Sequence, residues 1–453
     1  MIAIIGGGIT GLAAAYELAR RGTAFTLFEA SPRVGGLILT EQIDGFTIEA
    51  GPDSILTQKP AALRLCEELG LGARLIATKT PRTAFVLKRG RLYPLPSPSV
   101  LGIPTTVAGA VRYELLSWPA RVRLAMEPLV PRRRGTGDES VSSFFSRRFG
   151  PSTVSLVAEP LLGGIHAGDV TALSMASLFP RLMDAEARYG SVIRAFRKLR
   201  ADPDGAFRSL VGGMGELVSA IEARLPAGAV RYSSLVTALE TDARRWRVLA
   251  CETSTRVHAV IVATPAHTAA RLLAGVNAEA ASLAADVPYV STASVTLAWP
   301  RRAVGHALAG SGFVVARRYG RERITACTWI SSKWPGRAPP DTVLLRAFIG
   351  GARDPDVVNL ADADIIALAA RDVAKVLRIS GPPILTRVHR WRDAGAQHNI
   401  GQLARVGMIE ARLASRPGLF VAGSGFRAVG IPDCVADGRA IAAAAADYIK
   451  IAG

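Results

Sequence analysis

The stretch MIAIIGGGITGLAAAYELARRGTAFTLFEASPRVGG, residues 1–36, decides how the rest of the chain is read. Residues 1–5 are apolar and predict a buried parallel strand. The run Gly6-Gly7-Gly8-Ile9-Thr10-Gly11 then opens a helix with Leu12, Ala15, Tyr16, Leu18 and Ala19 on its apolar side. Gly22 stops that helix, and a second strand over 24–28 leads to Glu29 and Ala30. A G-x-G-x-x-G turn between strand and helix, with an acid about twenty residues further on, has the spacing of a βαβ dinucleotide-binding unit. Gly6 permits the tight turn, Gly8 lets backbone approach a pyrophosphate, and Gly11 lets the helix lie close on the strand. The amides of the helix start face the phosphates, and Glu29 is placed for ribose hydroxyls.

The next residues narrow the choice of dinucleotide. Arg33-Val34-Gly35-Gly36 follows Glu29 closely, and a strand over 46–50 ends at Gly51-Pro52-Asp53-Ser54. This continuation is not the usual one for an NAD-dependent dehydrogenase. It resembles the FAD-containing amine oxidase superfamily, in which an E-x-x-x-R-x-G-G run extends the nucleotide site and a G-P turn approaches the flavin.

With 453 residues the chain is long enough for two or three domains. Strand residues begin at Met1, so no signal or transit peptide is expected, and the four cysteines, Cys66, Cys251, Cys327 and Cys434, are scattered without metal-type pairing. These features fit a reducing, cytoplasmic setting without a metal site. The formal charge of +18 and pI near 10.5 accompany a positive mean hydropathy of +0.25. Basic and apolar together point to an anionic partner, an acidic substrate or an acidic lipid surface, although an arginine-rich GC-biased genome gives the same composition. No zinc-finger pattern, RNP motif or aromatic-basic platform is present, which sets nucleic acid aside.

Further along, 59–72 predicts an amphipathic helix, and 84–87 with 92–95 predicts a hairpin turning at Lys88-Arg89-Gly90-Arg91. Arg82 stands just before it. Prolines at 94, 96, 98 and 104 introduce apolar helices over 101–116 and 122–129, with Trp118 between them and Arg132-Arg133-Arg134 after them. No apolar run is long enough to span a bilayer. Two readings stay open here, helices lying in a membrane interface or a helical subdomain packed on itself. A glycine-punctuated segment, 161–169, precedes Leu173-Ser174-Met175, and 188–200 predicts a basic helix. Gly212-Gly213-Met214 introduces a helix over 217–225, a β-meander (235–239, 246–250) and an apolar strand over 259–263. From 266 to 384, strands over 291–299, 311–316, 324–330 and 343–349 and a helix over 362–377 carry no apparent catalytic cluster. A last strand, 419–423, and Val429-Gly430-Ile431-Pro432-Asp433 lead into a C-terminal helix.

Together these segments resemble the oxygen-dependent HemY-type protoporphyrinogen oxidases from residue 2 to about residue 448. The carrying residues are Gly6 to Gly11, Glu29, Arg33 to Gly36, Gly51 to Ser54, Gly163 to Asp169 with Leu173-Ser174-Met175, Gly212-Gly213-Met214, Trp391 and Val429 to Cys434. The resemblance implies an α/β protein. A Rossmann-type FAD-binding domain, amine oxidase-like, would be assembled from 1–75, 209–266 and 385–453. It would carry a mixed-sheet substrate domain (76–93 and 267–384) and a helical membrane-binding insertion (94–208). The resemblance places Val236 at the adenine, Trp391 beside the flavin, Val429-Gly430-Ile431 against its ring, Gly423 among the cofactor-binding residues, and Arg82 at a substrate propionate. Two segments depart from the family pattern. Ala396-Gln397-His398 and Gly401-Gln402 replace the usual Pro-Gln-Tyr and Gly-His, and Ser424 replaces an asparagine.

The six histidines form no ligand or triad spacing, so a non-covalent FAD would carry the chemistry, with Cys434 read as a small buried residue. The reaction implied is protoporphyrinogen IX oxidation to protoporphyrin IX with O2, giving hydrogen peroxide, in haem biosynthesis. Coproporphyrinogen III oxidation on the same fold is the alternative. Other flavin amine oxidase reactions and a flavin-free prenyl-protein escort role are more distant ones. Partners implied are the porphyrinogen, a peripheral membrane surface, a ferrochelatase receiving the product and a second copy of the chain.

Overall fold

The computed structural model describes every residue except 136, 198–201, 203, 243, 244, 252 and 453. Its first layer is a five-stranded parallel sheet in the order Val230–Arg231, Phe25–Phe28, Ile2–Ile5, Ala259–Val262, Leu419–Val421. Successive side chains of Ile2–Ile5 point to opposite faces, so Ile2 and Ile4 enter one apolar core and Ala3 and Ile5 the other. On one face the helix Ile9–Arg20 packs against the C-terminal helix Gly430–Ala452. A Cβ at Gly438 would stand 2.2 Å from the Thr10 carbonyl oxygen, so only glycine lets these helices approach this closely. The other face carries the antiparallel meander Val236–Asp242, Arg245–Ala250, Thr253–Val257.

The second layer is a seven-stranded mixed sheet in the order Leu385–Ala396, Tyr289–Pro300, Thr342–Gly350, Ala326–Trp329, Gly312–Val315, Ala84–Lys88, Arg91–Pro94. Its one parallel pairing among the described strands joins Gly312–Val315 to Ala84–Lys88. The hairpin turns over two residues at positive φ, Arg89 (51°) and Gly90 (77°), as a tight primed turn demands. The strand Leu385–Ala396, grouped from sequence with the nucleotide-binding layer, pairs instead with Tyr289–Pro300. Ladder pairing runs along nearly its whole length, from Tyr289 opposite Ala396 to Ala298 opposite Leu385, which satisfies its backbone groups there.

Residues 94–208 are not two long helices. They form a short two-stranded ladder (Ser99–Val100, Ile103–Pro104), brief helices including Val107–Val111 and Trp118–Ala125, and a core around Phe144, Phe145 and Phe149. Arg148 and Glu127 are both fully buried within it and paired, and the Glu127 carboxylate also accepts from Ser191 Oγ and the Val192 amide at the start of the next helix. This subdomain packs on a core of its own and also leaves an apolar side exposed, so the two sequence readings do not exclude each other. The basic helix expected over 188–200 resolves into Pro180–Tyr189 and Val192–Phe196, and its end lies outside the described residues. Among the described residues no helix is long and apolar enough to cross a membrane.

Candidate cofactor and substrate site

The glycine turn has the geometry its sequence demands. Gly6 sits at φ 101°, and a Cβ at Gly11 would fall 1.9 Å from the Gly6 carbonyl oxygen, whereas nothing lies within 4 Å of a Cβ at Gly8. Space is open at Gly8, at the N-terminal end of Ile9–Arg20, as a phosphate-binding turn requires. Glu29 faces this turn: its carboxylate accepts from the Gly7 amide (2.7 Å) and from the amide and hydroxyl of Ser31 (2.8 and 2.7 Å). Ala30 is exposed beside it. The Ser234 amide donates to the Glu29 carbonyl, which brings the start of the meander, and hence Val236, to the same end of the site.

Arg33 serves the loop and not the open side: its guanidinium donates to the carbonyls of Val34, Gly36 and Ile38. Gly35 and Gly36, both at positive φ, press the loop onto the turn, with the Gly35 amide 2.8 Å from the Gly7 carbonyl. Arg33 therefore shapes the phosphate-binding wall from behind.

The Gly51-Pro52-Asp53-Ser54 turn is held by residues the sequence reading missed. Arg346, 4% exposed on Thr342–Gly350, donates to the carbonyls of Glu49 (2.8 Å) and Gly51 (2.7 Å) and lies 3.5 Å from Asp53. Lys333 Nζ is 3.0 Å from Asp53 Oδ2, and Trp334 Nε1 donates to the same oxygen. Ser54 Oγ donates to the other carboxylate oxygen of Asp53. Burial opposes the Asp53 charge, but Lys333 and Arg346 outweigh it and hold the carboxyl far below the usual carboxylate range. Arg337, 1% exposed, ties Ser209 and Leu210 to the same region. The segment 266–384, which seemed chemically silent, thus supplies two buried arginines and the half-buried Lys333 beneath the turn. Trp391 Nε1 donates to the Ala50 carbonyl (2.9 Å), so the tryptophan and the turn are locked together.

At the C-terminal motif, Gly423 (φ 105°) donates its amide to Asp437 and abuts Thr10. Asp433 accepts from the Val429 amide (3.2 Å) and pairs with Lys59 (2.5 Å), and Gly430 turns the chain at φ 79° into the helix. Val429 is half-buried against the helical subdomain, whereas Ile431 is buried in the core below the first helix. Cys434 is buried, which pushes its thiol up to about 11 and leaves it inert as a nucleophile.

Two histidines without any spacing pattern meet here. His398, 2% exposed, lies between Ser177 Oγ (2.8 Å from Nδ1) and the Ser424 carbonyl (2.8 Å from Nε2). Since a carbonyl only accepts, Nε2 carries the proton and Nδ1 accepts from the serine. Gln397 donates to the His166 carbonyl, and a Cβ at Gly168 would collide with that glutamine. Gln397, which keeps the family glutamine, and His398, which departs from it, therefore buckle the 163–169 segment to the C-terminal motif. No group of three or more potential metal ligands occurs among the described residues.

Arg82 shares with Lys333 the wall of a cavity of about 310 Å3 over the mixed sheet, its Nε donating to the Thr78 carbonyl at 3.1 Å.

A βαβ unit with an open glycine turn, an acid hydrogen-bonded to that turn and a second, mixed sheet closing over a G-P turn has the form of a dinucleotide-binding protein. The family model for flavin containing amine oxidoreductases matches residues 9–446, and the chain belongs to that family. It is 38% identical to the coproporphyrinogen III oxidase of Bacillus subtilis over 99% of this chain and 98% of that one. It is 28% identical to chloroplastic protoporphyrinogen oxidase 1 of Spinacia oleracea, over 99% and 84%. A solved structure from Exiguobacterium sp. 255-15, provisionally named protoporphyrinogen oxidase, superposes with a TM-score of 0.88 at 32% identity, covering 99% and 98% of the two chains. The cofactor is FAD, in keeping with the family and with the cradle at Gly8.

Proposed function

We propose that this chain oxidises coproporphyrinogen III to coproporphyrin III with FAD and O2, producing hydrogen peroxide, in haem biosynthesis. The observation that carries this reading is end-to-end similarity to relatives named coproporphyrinogen III oxidase, at 38%, 33% and 31% identity in Bacillus subtilis, Propionibacterium freudenreichii and Staphylococcus aureus. These relatives favour the tetracarboxylate over protoporphyrinogen IX, the substrate placed first on sequence alone.

FAD, when bound, supplies the acceptor for a hydride from an electron-rich porphyrinogen meso carbon. The protein's own task is position. Asp53, Lys333 and Arg346 fix the turn that faces the substrate sheet, Trp391 braces it, and Arg82 offers a fork for one propionate. No strong protein base is required, and neutral His166 and His398 agree with that. The test is direct: protein supplied in turn with each porphyrinogen in air should generate porphyrin fluorescence faster with the tetracarboxylate. Equal or reversed rates would return protoporphyrinogen to first place.

The helical subdomain carries a further part of the reading, a peripheral membrane contact. Trp118, Val122, Met126 and Leu129 are exposed along one side, Leu129 by 73%, beside the arginines at 132–134. Flotation with anionic vesicles, weakening with salt, supports this contact, and no flotation removes it.

A further inference from the structure

Oxidising a porphyrinogen is not hydride loss alone. When a meso C–H bond breaks and its electron pair leaves with the hydrogen toward the flavin, the cation left behind is conjugated through a pyrrole nitrogen. That N–H bond must then break, its electron pair staying on nitrogen and its proton going to an acceptor. Each round therefore gives up one proton with one hydride, and a weak neutral base is enough to take it.

Of the two histidines that meet at the 163–169 segment, His398 is spoken for: it is 2% exposed, and Ser177 and the Ser424 carbonyl engage both ring nitrogens. His166 differs. It is half-buried, and neither of its ring nitrogens has a hydrogen-bond partner among the described residues. The ring stands edge-on to Phe179, with centroids 5.6 Å apart and planes at 79°. Its backbone is pinned. The His166 carbonyl accepts from Gln397 Nε2 (2.9 Å), and Ala167, at φ 50°, gives its carbonyl to the Ala352 amide (2.8 Å).

The groups around this imidazole belong to the C-terminal motif. Burial, with His398 and Lys59 nearby, lowers its proton affinity to about 4, so it is a neutral acceptor at physiological pH. Lys59 pairs with Asp433, which accepts from the Val429 amide, and His398 donates to the Ser424 carbonyl. Asp169, three residues on, accepts from the Thr171 amide.

We propose that His166 is a catalytic residue, the acceptor of the pyrrole N–H proton released with each hydride, which its exposed side passes on to solvent. This rests on the porphyrinogen reading above.

Turnover of coproporphyrinogen III in air by the holoenzyme, with coproporphyrin III binding read by fluorescence quenching, tests the proposal. His166→Ala should lower kcat about ten- to a hundredfold, at the small end of general base effects because water can substitute at a half-exposed ring. Added imidazole should restore the rate in proportion to its concentration, and pyrrole, of the same shape but without a basic nitrogen, should not. His166→Phe keeps the contact with Phe179 and the occupied space. It should lose kcat equally, with KM and coproporphyrin III affinity within about twofold of wild type. Should His166→Ala not fold, this variant decides alone. A wild-type kcat in His166→Phe, or equal rescue of His166→Ala by imidazole and pyrrole, would make the ring a packing element and overturn the proposal. Failure of wild-type protein to oxidise either porphyrinogen would overturn the porphyrinogen reading itself.

Discussion

The parallel and mixed sheets approach the flavin with opposite chemistry. At the glycine turn the wall is backbone: amides at a helix start and an open Gly8, with Glu29 accepting from the Gly7 amide. Beneath the Gly51-Pro52 turn the wall is charge: Lys333, Arg337 and Arg346 serve carbonyls and the buried carboxylates of Glu49 and Asp53. A backbone site fails when a side chain fills its space. A buried charge network fails when one partner leaves, because the survivor stays desolvated.

The sharpest way to break this comparison is at the glycines. Gly8→Val has room for its side chain in the protein but occupies the pyrophosphate space, so the purified variant should be folded and colourless. Gly11→Val should instead fail as a fold, because even a Cβ overlaps the Gly6 carbonyl. Absorbance near 450 nm alongside circular dichroism separates the two, and a yellow Gly8→Val would refute the backbone-wall account.

On the charge side, Arg346→Met should cost about 2–4 kcal/mol, the order expected for leaving buried carbonyls without this charged donor. Two carbonyls lose their donor and Asp53 keeps Lys333, Trp334 and Ser54. Because Asp53 is held ionised well below its ordinary range, its contribution is present at neutral pH and fades only in strong acid. Denaturant melts of the two proteins measure the difference. A loss under 1 kcal/mol would mean that the turn holds itself.

These two walls also differ in how far sequence reveals them. Gly6, Gly8, Gly11 and Glu29 are legible because a backbone site constrains residue type at fixed local spacing. Arg346 and Lys333 carry no such mark. Their partners lie 280 to 297 residues earlier in the chain, and only the pairing of Tyr289–Pro300 with Thr342–Gly350 brings them under the turn. The strands read from composition fell within a few residues of their places, and so did the helix Asp362–Leu377, whereas Leu385–Ala396 and Thr253–Val257 had no such reading. The break-up of 101–129 was not, since exposed Trp118 and buried Leu124 share one short helix whose amphipathy is weak. Nor could spacing show that His398 bridges Ser177 and Ser424, which are 221 and 26 residues away.

Arg82 probes the substrate side with a smaller expected effect. Arg82→Ala should raise KM roughly ten- to a hundredfold, about 1.5–3 kcal/mol for a charge-assisted contact, with the flavin spectrum unchanged. Arg82→Lys should recover only part, since the fork is lost. Values within about twofold of wild type would assign the propionate to another cation.

The mildest effect belongs to the histidine buckle, where neither wall is altered but their alignment is. Burial, opposed by the Ser424 carbonyl and Asp433, lowers the His398 affinity for a proton. Burial together with His398 and Lys59 brings His166 down to about 4. Both rings stay neutral in the folded protein while the unfolded chain protonates below about pH 6.5. Their stabilising contribution is therefore complete above that pH and declines as the medium acidifies toward about pH 4, where the folded His166 itself takes up a proton. His166 is only half-buried, so solvent screens part of the effect, and about 1–2 kcal/mol should be lost across the window. Glutamine at 398 can donate to the Ser424 carbonyl and accept from Ser177 without titrating. Melts of wild type and His398→Gln between pH 7.5 and pH 5 should diverge steadily, with the variant the less sensitive of the two. Parallel curves would mean that the contact is made equally well by the charged ring, and that the 163–169 segment is held by Gln397 alone.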